Sequence, residues 1–156
     1  MIKREAYLTK IRPFMDKDLV KVLTGIRRSG KSVMLELIKQ ELREKGVAEN
    51  HFVHLNFEDM GNRELCTAES LHRFISDRLA GAEARSYLFF DEIQEVEAWE
   101  KCINSLRINF DCDIYITGSN ARLLSGELAT YLAGRYVEFI IYPFSFQEFY
   151  LFCFLQ

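Results

Sequence analysis

The chain has 156 residues, with 20 lysines and arginines against 23 aspartates and glutamates, so its formal net charge is −3. This balance removes a protein that recognises nucleic acid by charge alone from the leading interpretations, and it leaves other modes of nucleic-acid binding open. Hydrophobic residues make up 49% of the chain and charged residues 28%, which is typical of one globular domain with a substantial core.

The patterns of cysteine, histidine and apolar residues argue against a zinc site, a redox pair, a secretory signal and a membrane span. The four cysteines and three histidines form neither a CxxC pair nor an HExxH motif, so no zinc site or redox pair is indicated. Buried free thiols in a reducing cytosol explain the cysteines. Charged residues interrupt the first twenty positions, where a secretory signal would need an apolar core. The apolar stretch at 136–155 carries Glu138, Pro143 and Glu148, so we interpret it as buried protein, not a membrane span, and expect a cytoplasmic protein with no membrane contact.

Apolar periodicity predicts alternating helices and strands along the chain. Helices are predicted at 4–15, where Pro13 favours an early end, from Val33 to near Gly46, at 70–79, at 99–110, and along the stripe Leu123, Leu124, Leu128 and Leu132. Strands are predicted at 19–24, 51–57, 86–90, 113–117 and 137–141. Such alternation implies an α/β fold, with a parallel sheet between two layers of helices.

The strongest functional motif is Gly25–Ser32, called the phosphate loop below, which reads GIRRSGKS and matches GxxxxGK[ST] between a strand and a helix. Its glycines let backbone N–H groups close around phosphate oxygens, and the following helix presents its positive N-terminus. Lys31 is expected to reach the β- and γ-phosphates, and Ser32 to bind Mg²⁺. Arg27 and Arg28 either add positive potential or are solvated. The predicted nucleotide-binding residues are Gly25, Arg28, Ser29, Gly30, Lys31, Ser32 and Val33.

An apolar strand delivers Asp91 and Glu92 at its carboxyl end, where ligands bind in open α/β sheets. Adjacent side chains at a strand end point in different directions. Asp91 is therefore expected to hold the Mg²⁺ shell with Ser32, while Glu92 orients a water towards the γ-phosphate. A solvated acidic turn is the alternative interpretation.

Two further polar positions are candidates for catalysis. Ser119 and Asn120 follow the next strand, and either side chain is placed to contact the γ-phosphate or the attacking water. Asn120 is preferred as this sensor, because Ser119 is well suited to cap the next helix. Arg135 precedes the last strand, where it either reaches a neighbouring subunit's γ-phosphate or is an ordinary surface arginine.

Together the segments GIRRSGKS, YLFFDEIQ, YITGSN, LAGRY and YPFSFQEF resemble a prokaryotic branch of the AAA+ ATPases, over about residues 19–149. The resemblance implies a three-layer P-loop NTPase with a five-stranded parallel sheet in the order 5-1-4-3-2. It implies an ATPase core at 19–156 after an N-terminal helical segment at 1–18. AAA+ proteins continue into a helical lid, and this branch into a further C-terminal domain. Neither follows here, so the resemblance implies truncation at the C-terminus.

The resemblance also assigns roles to individual residues. It gives phosphate and Mg²⁺ binding to Lys31 and Ser32, the metal and water pair to Asp91 and Glu92, the sensor to Asn120 or Ser119, and the trans-acting arginine to Arg135. The preference for ATP over GTP rests on the resemblance alone, because no guanine-reading motif is present.

The leading prediction is an ATP-binding, Mg²⁺-dependent ATPase module that couples its ATP or ADP state to a partner. That partner is a missing C-terminal domain, another protein or a second copy in a homo-oligomer. A covering surface is expected because nine of the 21 aromatic residues fall in the last 21 positions. A nucleotide-gated interaction module without turnover is the main alternative. A small-molecule kinase is disfavoured, since the paired carboxylates favour water as acceptor.

Overall fold

The fold alternates strands and helices, as the apolar periodicity predicts. The computed structural model describes residues 2–119, 123 and 130–154. The strands are β1 (Val20–Thr24), β2 (Phe52–Asn56), β3 (Ser86–Asp91), β4 (Cys112–Gly118) and β5 (Tyr136–Ile140). The helices in the described residues are α1 (Glu5–Ile11), α2 (Lys31–Glu44), α3 (Ala68–Leu79), α4 (Trp99–Asn109) and α5 (Phe146–Phe154).

The five strands form one parallel sheet in the order β2-β3-β4-β1-β5. This is the predicted order 5-1-4-3-2, read from the other edge. β4 lies between β1 and β3, because Val22 pairs with Ile116 and Leu88 pairs with Ile114. The carboxyl ends of β1, β4 and β3 therefore lie side by side at one edge of the sheet, where loops from three strands meet.

Alternating side chains along the strands build two cores, one on each face of the sheet. On β3, Leu88 and Phe90 enter the core that α3 and α4 cover, whereas Phe89 enters the core that α2 covers. The second core also contains Leu8 and Ile11 of α1. The N-terminal helix is therefore packed against the same face of the sheet as α2.

Predicted and observed boundaries differ by a few residues, each for a local reason. The first helix stops at Ile11 and continues as a 3-10 turn through Phe14, because Pro13 lacks the N–H that an α-helix needs. α3 begins at Ala68, since the Thr67 hydroxyl accepts the Ser70 N–H at 3.2 Å and caps the helix. Of the predicted leucine stripe, Leu123 and Leu132 are buried, while Leu124 and Leu128 lie outside the described residues.

The C-terminal stretch corrects two expectations. α5 contains no buried residue, and Phe146 is 85% exposed, so the interpretation of this stretch as buried protein is wrong for α5. Cys153 on α5 is exposed as well, so the expected burial of the thiols is wrong there, although Cys102 is buried. None of the helices in the described residues combines the length and apolar character that a bilayer crossing requires.

Candidate active site

The phosphate loop leaves the carboxyl end of β1 and leads directly into α2. Gly30 precedes the helix with a φ of 94°, in the left-handed region that favours glycine. Lys31 is the first helical residue, and Ser32 and Val33 follow in the exposed first turn. The loop therefore lies at the positive N-terminus of a 14-residue helix, a position that attracts phosphate.

Gly25 is required where the loop meets the segment after β5. Its φ is 150°, and a Cβ built on it would overlap the Ile141 carbonyl oxygen and lie 2.8 Å from Ser29 Oγ. The buried Ser29 hydroxyl has no hydrogen-bond partner among the described residues. A free buried hydroxyl beside a glycine turn is suited to contact a phosphate oxygen, because a polar atom without a partner is costly in a protein interior.

Lys31 lies folded over the loop that precedes it. Its ammonium group is buried and donates hydrogen bonds to the carbonyl oxygens of Gly25, at 3.1 Å, and Ile26, at 3.0 Å. The same nitrogen is 3.9 Å from Oε1 of Glu92. The structure thus brings together the predicted phosphate-binding cation and the predicted water-orienting carboxylate.

Thr117 connects the two carboxylate residues at the end of β3. Its hydroxyl donates a hydrogen bond to Oδ1 of the buried Asp91 and accepts the Glu92 N–H at 2.9 Å. Glu92 has a φ of 55°, a left-handed conformation that is uncommon for a residue with a side chain. Such backbone strain occurs preferentially at functional sites, where the surrounding contacts hold it.

Gln94 is the second contact of Glu92. Its amide donates to Glu92 Oε2 at 2.5 Å, while its Oε1 atom is buried without a hydrogen-bond partner among the described residues. A Cβ on Gly118 would overlap that oxygen, so the glycine after Thr117 leaves the space in which Gln94 lies. The Glu92 carboxylate is thereby held between an amide and the Lys31 ammonium.

These groups surround a cleft of about 300 Å³. The side chains that line it are Arg27, Lys31, Glu58, Glu92, Gln94, Glu95 and Ser119. Ser119 is thus placed beside Glu92, as one of the two sensor predictions requires, whereas Asn120 lies outside the described residues. Arg27 lines the cleft, whereas Arg28, with a φ of 64°, is exposed.

Arg135 is not part of this cleft. It is exposed at the amino end of β5, where its carbonyl oxygen accepts the N–H of Val20 at the start of β1. The phosphate loop follows the opposite end of β1, so Arg135 and the cleft lie at opposite ends of the sheet.

The donor set fits a magnesium nucleotide better than a metal held by protein alone. The described residues contain no group of three or more histidine, cysteine or acidic side chains placed to hold an ion. Mg²⁺ is typically held by one or two protein oxygens, waters and phosphates, and the hydroxyl of Ser32 and carboxylate of Asp91 are donors of that kind.

Sequence reasoning missed Thr117, Gln94 and Arg4. Thr117 follows the run Ile114, Tyr115 and Ile116 in β4, and a hydroxyl after such a run is a usable signal for a buried polar group with a specific partner. Arg4 gives no such signal, because its guanidinium contacts Ser29 and Glu148, which are distant in sequence. Gln94 contacts Glu92, only two residues away, but the sequence does not indicate which neighbour its amide meets.

A family model described as an AAA domain matches residues 17–150, so the chain belongs to the AAA domain family. This membership indicates nucleotide binding, and the observed strand order is that of a P-loop NTPase. The domain is thus AAA+ ATPase-like in family and in fold.

Two relatives extend the family to bacteria and archaea. The chain is 48% identical over 149 residues to an uncharacterized protein of Haemophilus influenzae, covering 96% of this chain and 37% of that protein. It is 36% identical over 131 residues to an uncharacterized protein of Methanocaldococcus jannaschii, covering 83% of this chain and 28% of that protein. The chain therefore spans only a minor part of the length of either relative.

Solved structures share the fold at low sequence identity. The ORC1 protein of Aeropyrum pernix, determined in complex with DNA, has a TM-score of 0.64 and 15% identity, covering 95% of this chain and 47% of that one. A DNA polymerase III gamma subunit-related protein of Thermotoga maritima has a TM-score of 0.60 and 14% identity, covering 86% and 45%. These likenesses establish the architecture alone.

Proposed function

We propose that this domain binds ATP with Mg²⁺ in the cleft beside the phosphate loop and hydrolyses it. The observation that carries the proposal is the 3.9 Å approach between the Lys31 ammonium and the Glu92 carboxylate across that cleft. This approach supports the proposal, because a cation suited to phosphate oxygens and a carboxylate suited to orient water border the same cleft.

Each residue has a defined part in this proposal. Backbone N–H groups of the phosphate loop and the Lys31 ammonium hold the β- and γ-phosphates. Ser32 and Asp91 supply oxygens for Mg²⁺, which when bound neutralises charge on the phosphates. Glu92 orients a water molecule and takes its proton as the water oxygen bonds to the γ-phosphorus and the bond to the ADP oxygen breaks.

Substitution at the two central residues tests binding and hydrolysis separately. Lys31→Ala is expected to abolish ATP binding, measured by titration with a fluorescent ATP analogue. Glu92→Gln is expected to bind ATP and to lose phosphate release, since the amide accepts no proton from water. Phosphate release at the wild-type rate by Glu92→Gln would contradict the assignment.

Two control variants separate these effects from general damage. Lys39→Ala removes a lysine from the same helix as Lys31, away from the cleft lining. Glu97→Gln neutralises an exposed carboxylate shortly after Glu92. Both are expected to bind and hydrolyse ATP as the wild type does.

A nucleotide-gated interaction module without turnover is the second candidate, favoured by the exposed apolar surface of α5. It predicts tight ATP binding with no phosphate release at any protein concentration. Mg²⁺-dependent phosphate release without an added acceptor supports the ATPase over this module and over a kinase.

A further inference from the structure

Arg4 is a buried cation that joins three distant parts of the chain. It precedes α1, outside the family-matched range 17–150, and is only 2% exposed. Its Nη1 donates to the Ser29 carbonyl oxygen of the phosphate loop at 2.9 Å, and its Nη2 donates to the Tyr142 carbonyl oxygen at 2.8 Å. Its Nε donates to Oε1 of Glu148 at 2.8 Å. A buried guanidinium with this many directed contacts holds its partners in fixed positions.

Aromatic rings complete the surroundings of the guanidinium. Its central carbon lies 4.5 Å from the ring centroid of Tyr7 and 5.3 Å from that of Phe144. Cation–π contacts of this kind strengthen as water is excluded. The Arg4 guanidinium therefore has hydrogen-bond acceptors at its N–H groups and aromatic rings against its faces.

Glu148 serves Arg4 and α5 at once. Its Oε2 accepts the Ser145 N–H at 2.8 Å, and the Ser145 hydroxyl accepts the Glu148 N–H at 3.2 Å, which is a capping box at the start of α5. Burial raises the pKa of the Glu148 carboxyl, but the hydrogen bond and charge of Arg4 together with the hydrogen bonds from Ser145 outweigh burial, and the pKa is lowered. The carboxylate that begins α5 is thus the carboxylate that orients Arg4.

The contact with Ser29 has a consequence for phosphate binding. A trans peptide group points its C=O and N–H in opposite directions, so fixing the Ser29 carbonyl towards Arg4 directs the Gly30 N–H away from it. Gly30 N–H belongs to the phosphate loop, where backbone amides bind phosphate oxygens. A Cβ on Gly30 would lie 3.2 Å from Arg4 Nη1, so the guanidinium packs directly against this peptide.

We propose that Arg4 is a positioning residue that holds the Ser29–Gly30 peptide in its phosphate-binding orientation and, through Glu148, links nucleotide affinity to the placement of α5. The proposal rests on the proposed nucleotide binding. Thermodynamic coupling between two sites is reciprocal. Contacts that hold α5 in place should therefore raise nucleotide affinity, and bound nucleotide should in turn stabilise α5.

Two variants with different defects test the positioning role. Arg4→Lys keeps the charge but cannot reach all three partners, and Glu148→Gln keeps a capping-box side chain while removing the ion pair. Each is expected to raise the Kd for Mg²⁺ and a fluorescent ADP analogue about tenfold, the size expected for losing a charge-assisted hydrogen bond. In turnover assays the loss should fall on the KM for ATP, with kcat retained.

Glu41→Gln is the matched control. Glu41 accepts a hydrogen bond at 2.6 Å from Arg12, another arginine of the N-terminal segment, and this pair is formed on α2 away from the loop. It has the same change of charge as Glu148→Gln, and its Kd is expected to equal that of the wild type. Equal weakening in Glu41→Gln and Glu148→Gln would overturn the positioning role, since general destabilisation would then explain both.

The effect of nucleotide on amide hydrogen exchange in α5 distinguishes the proposed link from simple destabilisation. Nucleotide is expected to slow amide exchange over Phe146–Phe154 in the wild type and in Glu41→Gln, but not in Glu148→Gln. Exchange in α5 that ignores nucleotide in a wild type that binds it would overturn the link to α5. If Arg4→Lys fails to fold, Glu148→Gln decides the outcome.

The same measurements distinguish this inference from the proposed function. A wild type that binds no nucleotide contradicts the proposed function itself. A wild type that binds it, with unchanged Kd in folded Arg4→Lys and Glu148→Gln, contradicts the inference alone.

Discussion

A single hydroxyl organises the carboxylates of the candidate site. Thr117 donates to Asp91 and accepts from the Glu92 backbone, so one side chain fixes both the proposed metal ligand and the proposed water-orienting residue. It also supports the left-handed backbone of Glu92, which costs on the order of 1–2 kcal/mol in a residue with a Cβ. The geometry of the site therefore depends on a residue that contacts neither phosphate nor water in the proposal.

Thr117→Val tests this dependence with almost no change of shape. The substitution leaves the Asp91 carboxylate and the Glu92 N–H without their partner, and a hydrogen bond to a charged group is worth about 1.5–3 kcal/mol. We expect phosphate release to fall at least about tenfold and the Mg²⁺ concentration for half-maximal activity to rise. Both are measured by phosphate release across a Mg²⁺ titration.

Thr117→Ser is the control, because it restores the hydroxyl. It is expected to retain most of the wild-type activity. Full activity in Thr117→Val would show that the bridge is dispensable.

The positions of some candidate residues could be predicted from contiguous motifs, whereas others could not. Lys31, Asp91 and Glu92 were predictable because a loop and a strand end place them by chain connectivity alone. Arg4 was not, because its partners Ser29 and Glu148 are distant in sequence and meet it only after β1 and β5 have paired. A buried charge is specified by its tertiary surroundings, which periodicity does not report.

The five strands and the helices α1 to α4 follow from periodicity, while their ends follow from local chemistry. The helix α5 was not predicted. The strand order required the family resemblance, because alternation implies parallel pairing without fixing which strands are neighbours. For α5, composition alone gives a wrong prediction of burial. Its aromatic side chains predict burial, yet the rest of the described chain provides no layer to cover them.

The N-terminal segment is attached to α2 by an ion pair that responds to acid. The hydrogen bond from Arg12 holds the pKa of Glu41 below its ordinary value of 4.5, against the opposing effect of burial. A carboxyl with a lowered folded-state pKa stabilises the fold above the unfolded value and loses that contribution as the pH falls through the folded one. The pair should therefore stabilise the fold at neutral pH and weaken progressively below pH 4.5.

Glu41→Gln is expected to lower the free energy of unfolding at neutral pH by about 0.5–1 kcal/mol. The difference from the wild type should shrink as the pH falls below 4.5, because the wild-type carboxylate is then protonated. Urea unfolding at a series of pH values measures both quantities. Glu44→Gln, an exposed change on the same helix, should leave the pH profile unaltered. A constant difference across the acid range would exclude titration of Glu41 as the cause.

The two ends of the sheet carry different candidate groups. The cleft lies at the carboxyl ends of the strands, whereas Arg135 is exposed at the amino end of β5. One copy therefore cannot place this arginine in its own cleft. An arrangement in which one copy completes the next requires head-to-tail contacts, which form rings or filaments.

This geometry makes the proposed contribution of Arg135 to phosphate release depend on protein concentration. If Arg135 acts on a neighbouring copy, specific phosphate release should rise with protein concentration and fall sharply in Arg135→Ala, since a trans-acting arginine contributes about 10³- to 10⁵-fold in comparable enzymes. Arg78→Ala, which removes an exposed arginine from α3, should leave the concentration dependence intact. Specific activity that is independent of concentration and unchanged in Arg135→Ala would assign Arg135 to the ordinary surface.

The order of strands in the sheet also determines which parts of the domain can fold first during translation. β1 pairs on one side with β4 and on the other with β5, so Lys21 meets Tyr115 and Val22 meets Glu138, partners roughly a hundred residues later in synthesis. β2 and β3 are neighbours in both sequence and space and are free to pair early. During translation the phosphate loop therefore leaves the ribosome long before the strands that shape it. We expect a nascent chain to acquire nucleotide affinity only after Ile141 has emerged, which photo-crosslinking of stalled chains to an azido-ATP would measure.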